Sequence, residues 1–262
     1  MKKTINLRAL RTVAVELKAF YWQHIEDLQR MLDEFRKVPY NIMTVEQFMT
    51  MKQKMMFHQT TLPLGPQFCY YCIDLSAENP LRTDGCDECE YGKIHGRCWE
   101  RASHYNKLTL AWQNFRTALA GYYPQNSVAI KGKINMQAIH NAMKYLIEYY
   151  YHHITELQKN FDAFETIPYD IMTVDQLMTF KKETMFLQIK LPLDSEFCYF
   201  CVDLSILNLG CLHCQYAKVH GRCQDQKSTF KQIYFTRLAL IRDLHSYHIE
   251  NKYRKEAHHD TT

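Results

Sequence analysis

The sequence predicts a mainly α-helical protein made of two tandem copies of a three-helix unit, each with a small cysteine-rich insert, packed with pseudo-twofold symmetry. Three observations predict it. Helix-forming residues are plentiful beside only 8 Gly and 7 Pro, which is not the composition of a loop-rich or all-β chain. VPYNIMTVEQFMTMKQKMMF at 38–57 returns as IPYDIMTVDQLMTFKKETMF at 167–186, and LPLGPQFCYYCIDLS at 62–76 returns as LPLDSEFCYFCVDLS at 191–205, at a constant offset of 129 residues. CEYGKIHGRC at 89–98 returns as CQYAKVHGRC at 214–223, now at an offset of 125, because SAENPLRTDGC is four residues longer than SILNLGC. Self-similarity of this kind marks a duplicated unit. It divides the chain into a first repeat 1–125, a linker 126–133, a second repeat 134–250 and a polar tail 251–262 that is expected to fray. With a short linker and wide apolar faces, the copies are expected to pack on each other; two beads sharing no interface are the alternative.

Each repeat opens on a long helix, about 5–36 and 134–165. In the first copy Leu7, Leu10, Ala14, Leu17, Tyr21, Leu28 and Phe35 recur at spacings that share one face. Pro39 and Pro168 stop these helices. The second helices open on Thr44-Val45-Glu46-Gln47 and Thr173-Val174-Asp175-Gln176. In both, the hydroxyl can accept from the N3 amide while the Gln side chain reaches back, which is a capping box. Leu-Pro-Leu follows and must be non-helical, then the cysteines, then a third helix at about 101–120 and 226–248.

The formal charge of +4 permits a polyanionic partner without demanding one. No apolar run is long enough to span a bilayer, and Arg8 and Arg11 interrupt any secretory-type apolar core near the start. With no signal peptide, 10 cysteines suggest a reducing, cytoplasmic setting and metal thiolates rather than disulfides.

All the cysteines fall into two parallel constellations: Cys69, Cys72, Cys86, Cys89 and His95-x2-Cys98, then Cys198, Cys201, Cys211, Cys214 and His220-x2-Cys223. A CxxC pair suits a metal because the intervening turn lets two sulfurs converge on one ion, and four sulfurs complete a tetrahedral site. Zinc, two ions at one per repeat, is the expected cofactor; an iron–sulfur cluster is the alternative, since aromatics that would shield one crowd the pairs (Phe68, Tyr70, Tyr71; Phe197, Tyr199, Phe200). Six candidate ligands per repeat exceed what a tetrahedral ion needs. One choice takes both CxxC pairs, with His95 and Cys98 standing behind. A second takes Cys86, Cys89, His95 and Cys98, whose spacing resembles a zinc knuckle. A third takes one pair from the front and one from HGRC. Arg97 could balance the negative charge of a thiolate-bound ion.

A closed structural site leaves no open position for substrate, and neither H-E-x-x-H nor a deaminase signature is present. Phosphate-loop, dinucleotide and nucleophile-triad signatures are absent as well, so no small-molecule substrate is identified. His24 and His153 share the apolar face of the first helices and read as satisfied core histidines, and Met49, Met51, Met55 and Met56 read as core filling. Lys93, Arg97 and Arg101, with Lys218, Arg222 and Lys227, place basic groups near each cysteine set; with Tyr91, Tyr216 and Trp99 they could meet phosphates and stack on bases. The expectation is a zinc-stabilised binding or adaptor protein, with nucleic acid the first partner to test and another protein the second. The alternatives are a cluster-bearing redox protein or enzyme, and a protein-interaction or inhibitor module.

Overall fold

The computed structural model describes residues 5–78, 89–122 and 134–256; the linker 126–133 and residues 257–262 lie outside the described residues. The chain is mainly helical, with no strand among the described residues. In chain order the helices are α1 (Leu7–Lys37), α2 (Val45–Gln59), α3 (Tyr70–Glu78), α4 (Glu90–His95), α5 (His104–Tyr122), α6 (Met136–Glu165), α7 (Val174–Gln188), α8 (Tyr199–Ile206), α9 (Gln215–His220) and α10 (Thr229–Glu256). Single 3₁₀ turns at Pro66–Phe68, Ser195–Phe197 and Cys211–His213 lead into the cysteines.

The local causes are the ones the residues dictate. The Asn6 and Asn135 carboxamides accept from the Ala9 and Ala138 amides at 3.1 and 3.2 Å and start α1 and α6. Both capping boxes form: the Gln47 and Thr44 amides exchange bonds with the partner side chains at 3.0 and 2.8 Å, and those of Gln176 and Thr173 at 3.2 and 2.8 Å. The third helices begin slightly later than the sequence suggests. α10 runs on through Glu256, past the expected end of the third helix at 248.

One core runs through the molecule. α1 buries Leu10, Ala14, Leu17, Tyr21, Leu28 and Phe35 as expected, whereas Leu7, the first residue of the helix, is 53 % exposed because it stands beyond the end of that core. α1 packs along α6, and α5 packs along α10. His24 and His153 are buried; Met55 and Met56 are buried, and Met49 and Met51 pack against the core from its margin.

Polar groups cross between the two halves of the chain. The Gln188 side-chain amide donates to the Thr61 carbonyl at 2.6 Å, and that of Gln59 donates to the Lys190 carbonyl. Tyr21 donates its hydroxyl to the Gln188 carbonyl oxygen at 3.2 Å. The Gln59, Gln188 and Tyr21 side chains are fully enclosed, where an unmade hydrogen bond is expensive, so the pairs fix how the halves sit. Among the described residues no helix is long and apolar enough to cross a membrane.

Candidate metal centre

The front CxxC pairs do not lie in a loop. Cys69 and Cys198 immediately precede α3 and α8, their carbonyls accepting from Ile73 and Val202 at 3.1 and 3.0 Å, and Cys72 and Cys201 fall in the first turns. The segments YYCIDLS and YFCVDLS are apolar enough to pack as a helical turn or two rather than remain irregular. Tyr70 and Tyr199 point their hydroxyls back at the starts of α1 and α6, accepting from the Asn6 and Asn135 amides at 3.1 and 3.2 Å.

The repeated phrase CEYGKIHGRC has a matching local logic. Cys89 and Cys214 are the N-caps of the short helices α4 and α9. Gly96 and Gly221 end them with φ of +76° and +77° and an extended ψ, a region open almost solely to glycine. That reversal returns the chain so that Cys98 and Cys223 approach the earlier cysteines. Ser103 and Ser228, both buried, then clamp the turn: their hydroxyls donate to the Cys98 and Cys223 carbonyls at 2.9 and 3.0 Å. The same oxygens accept from the Asn106 and Lys231 amides at 3.0 Å and so cap the third helices.

The result brings Cys69, Cys72, Cys89 and Cys98 near one another in the first half, and Cys198, Cys201, Cys214 and Cys223, with Cys211 at their edge, in the second. The Cys69 thiol lies against Cys72 and works to lower it, but the adjoining Cys98 thiol, burial and the nearby Cys89 push Cys72 up to about 12. Cys198 is pulled down chiefly by the Cys201 thiol beside it, against burial and with help from the Lys52 ammonium; Cys201 is pushed up by the same neighbour. Burial and the Cys198, Cys214 and Cys211 thiols push Cys223 up to about 11.

The neighbours common to both halves are the front pair, the second cysteine of the second pair and the cysteine of HGRC. Cys211 is exposed in its 3₁₀ turn, at the edge of the second set. Cys86 and the His220 side chain lie outside the described residues. His95 is half-buried with its ring 4.7 Å from that of Tyr91. The thiols adjoin as neighbours; among the described residues no three His, Cys, Asp or Glu side chains stand in ligating geometry about one point.

Two residues that the sequence reading passed over complete the surroundings. Lys52 and Lys181, each 2 % exposed, end beside the cysteine pair of the opposite half of the chain. Lys52 Nζ donates to the Phe197 carbonyl at 2.7 Å and Lys181 Nζ to the Phe68 carbonyl at 2.9 Å. Burial pushes the Lys52 ammonium down to about 8, opposed by the Cys198 and Cys201 thiols and by Asp194. The retention of Lys at the same place in both repeats was the available signal. Tyr247 of α10 likewise reaches the first set, its ring 6.2 Å from Tyr91 and 6.1 Å from Tyr105.

The basic residues stand apart from this interior. Lys93, Arg101, Lys218, Arg222 and Lys227 are exposed, Arg97 is half-buried with its guanidinium 5.7 Å from the ring of Trp99, itself 58 % exposed, and Arg222 pairs with Asp225 at 3.4 Å. Tyr91 and Tyr216 are buried, contrary to the expectation that they stack on a partner: Tyr91 accepts from the Tyr105 amide at 3.1 Å and Tyr216 bonds Thr229 at 2.8 Å. Their rings wall the cysteine sets instead. Comparison with protein-family models, curated proteins and solved structures finds no match to the chain.

Proposed function

We propose that the chain is a zinc-stabilised binding or adaptor protein built from two copies of one helical unit packed with pseudo-twofold symmetry. Each copy holds a structural ion, on Cys69, Cys72, Cys89 and Cys98 in one and on Cys198, Cys201, Cys214 and Cys223 in the other. The observation that carries this is the approach of four thiols from three separate segments, twice, in an interior otherwise made of aromatic rings and a buried ammonium. Four thiolates suit zinc and leave no place for substrate, so the ions act by holding the fold. The symmetry reading rests on bonds that occur in matched pairs, Gln59 to Lys190 with Gln188 to Thr61, and Lys52 to Phe197 with Lys181 to Phe68.

Metal analysis of freshly purified protein tests the reading. A colourless preparation with about two zinc ions per chain is expected, one per closed site. A brown preparation containing iron and sulfide would overturn zinc in favour of the redox alternative, and a metal-free protein indifferent to zinc would overturn both. For the partner, the exposed Trp99 ring, with the half-buried Arg97 beside it and Lys93 and Arg101 near by, favours a polyanion whose bases can stack. Binding to single-stranded nucleic acid that weakens steeply with salt is the expected result; a salt-insensitive complex with a protein would transfer the role to protein–protein contact.

A further inference from the structure

Lys52 and Lys181 are the most unusual charges in the molecule. Both are buried, and each finds one backbone carbonyl, that of the residue just before a CxxC pair in the other half of the chain. A single carbonyl does not compensate an ammonium removed from water. Among the described residues neither lysine forms an ion pair with a carboxylate. What each chiefly faces is sulfur: Lys52 is set against Cys198 and Cys201, ahead of the unpaired influence of Asp194, and Lys181 against Cys69 and Cys72. Four thiolates around a divalent ion carry a net negative charge of two, and a buried anion of that size needs a cation near it.

We propose that each lysine is the counter-charge of the metal centre borne by the opposite repeat, so that every centre takes its sulfurs from one copy and its ammonium from the other. The inference rests on the four-thiolate reading and adds to it that the two centres are assembled in trans. Lys52 and Lys181 are positioning residues here: they touch the Phe197 and Phe68 carbonyls and act on the ion through the cysteine pair those carbonyls precede.

The test uses the full-length protein loaded with zinc, challenged with an alkylating reagent and mapped by peptide mass, which reads the two cysteine sets separately. K52Q removes the charge but keeps an amide donor toward Phe197; K52M removes both. In either variant Cys198, Cys201, Cys214 and Cys223 should lose zinc protection, corresponding to metal binding weakened about 10–100-fold, while Cys69, Cys72, Cys89 and Cys98 stay protected. K181Q and K181M should give the mirror image. Loss confined to the variant's own repeat, equal loss in both repeats for whatever cause, or full protection in K52Q would each overturn the trans counter-charge. Wild-type protein in which zinc protects neither set would overturn the four-thiolate reading beneath it; a protected wild type with non-selective variants would overturn only the role of the lysines.

Discussion

At the scale of single residues, the backbone of Gly96 and Gly221 turns the chain where no other side chain fits comfortably. A β-carbon at Gly221 would have its nearest neighbour, Asp225 Oδ2, at 3.6 Å, and one at Gly96 would meet only the movable end of Glu100, so space is not the obstacle. The obstacle is φ near +77°, and Gly221→Ala should cost about 1–3 kcal/mol, read as a lower urea midpoint. An Ala variant as stable as the parent would show that the turn is not held in this form. His24 and His153 give a second expectation. Burial first, then neighbouring cations and histidines, pushes both down to about 3 from the usual 6.5. The unfolded chain therefore binds protons that the folded chain refuses between those values, and stability falls as pH drops through that window. Each histidine should remove roughly 2 kcal/mol by pH 5 relative to neutral pH. Double replacement by Gln, which cannot titrate, should flatten the pH dependence of the denaturant midpoint. These histidines were legible in the sequence because they fall on an apolar helical face in both repeats. Lys52 was not: its burial depends on a carbonyl 145 residues away, which no local pattern reports.

Among the elements, what the sequence made plain were those with strong local rules. The long helices, their stops at Pro39 and Pro168 and both capping boxes follow from periodicity, proline geometry and side-chain reach. Thr44→Ala and Thr173→Ala should each cost about 1 kcal/mol by thermal or urea unfolding, with Ser largely restoring it. If the Ala variants match the parent, the caps contribute nothing. The short helices α3, α4, α8 and α9 were not legible, because six to nine residues rarely hold a helix by propensity alone. They exist through packing, against α1 for α3 and against α6 for α8. The approach of Cys89 and Cys98 depends on one of them: cysteines nine positions apart meet only if a helical turn and a glycine reversal lie between them.

For the whole molecule, the two halves share one interior. α1 lies on α6, α5 on α10, and the side chains of Lys52, Gln59, Lys181 and Gln188 each end on the opposite half. Such interlocking predicts a single cooperative unfolding transition, with calorimetric and van't Hoff enthalpies in agreement. Two resolved transitions would indicate independent units. Cys72→Ser should accordingly lower the midpoint for the entire chain and not for residues 1–125 alone, since loss of a structural ion is loss of folding energy. Hydrogen exchange resolved along the sequence would distinguish a shared loss from a local one. The recurring segments were legible, but the way the two halves interlock was not, because an offset of 129 residues says that stretches of sequence are alike and nothing of which atoms they exchange.

The crossing of Lys181 to the Phe68 carbonyl spans 113 residues of sequence, and a ribosome delivers those residues in order. The first cysteines emerge well before the lysine that will sit behind them, so that contact waits until the carboxy-terminal half has been made. The second half has no such delay, since Lys52 is already in the nascent chain when Phe197 appears. Two halves whose segments recur are thus unequal in time, and a chain cut short before Lys181 would leave the Phe68 carbonyl without its ammonium.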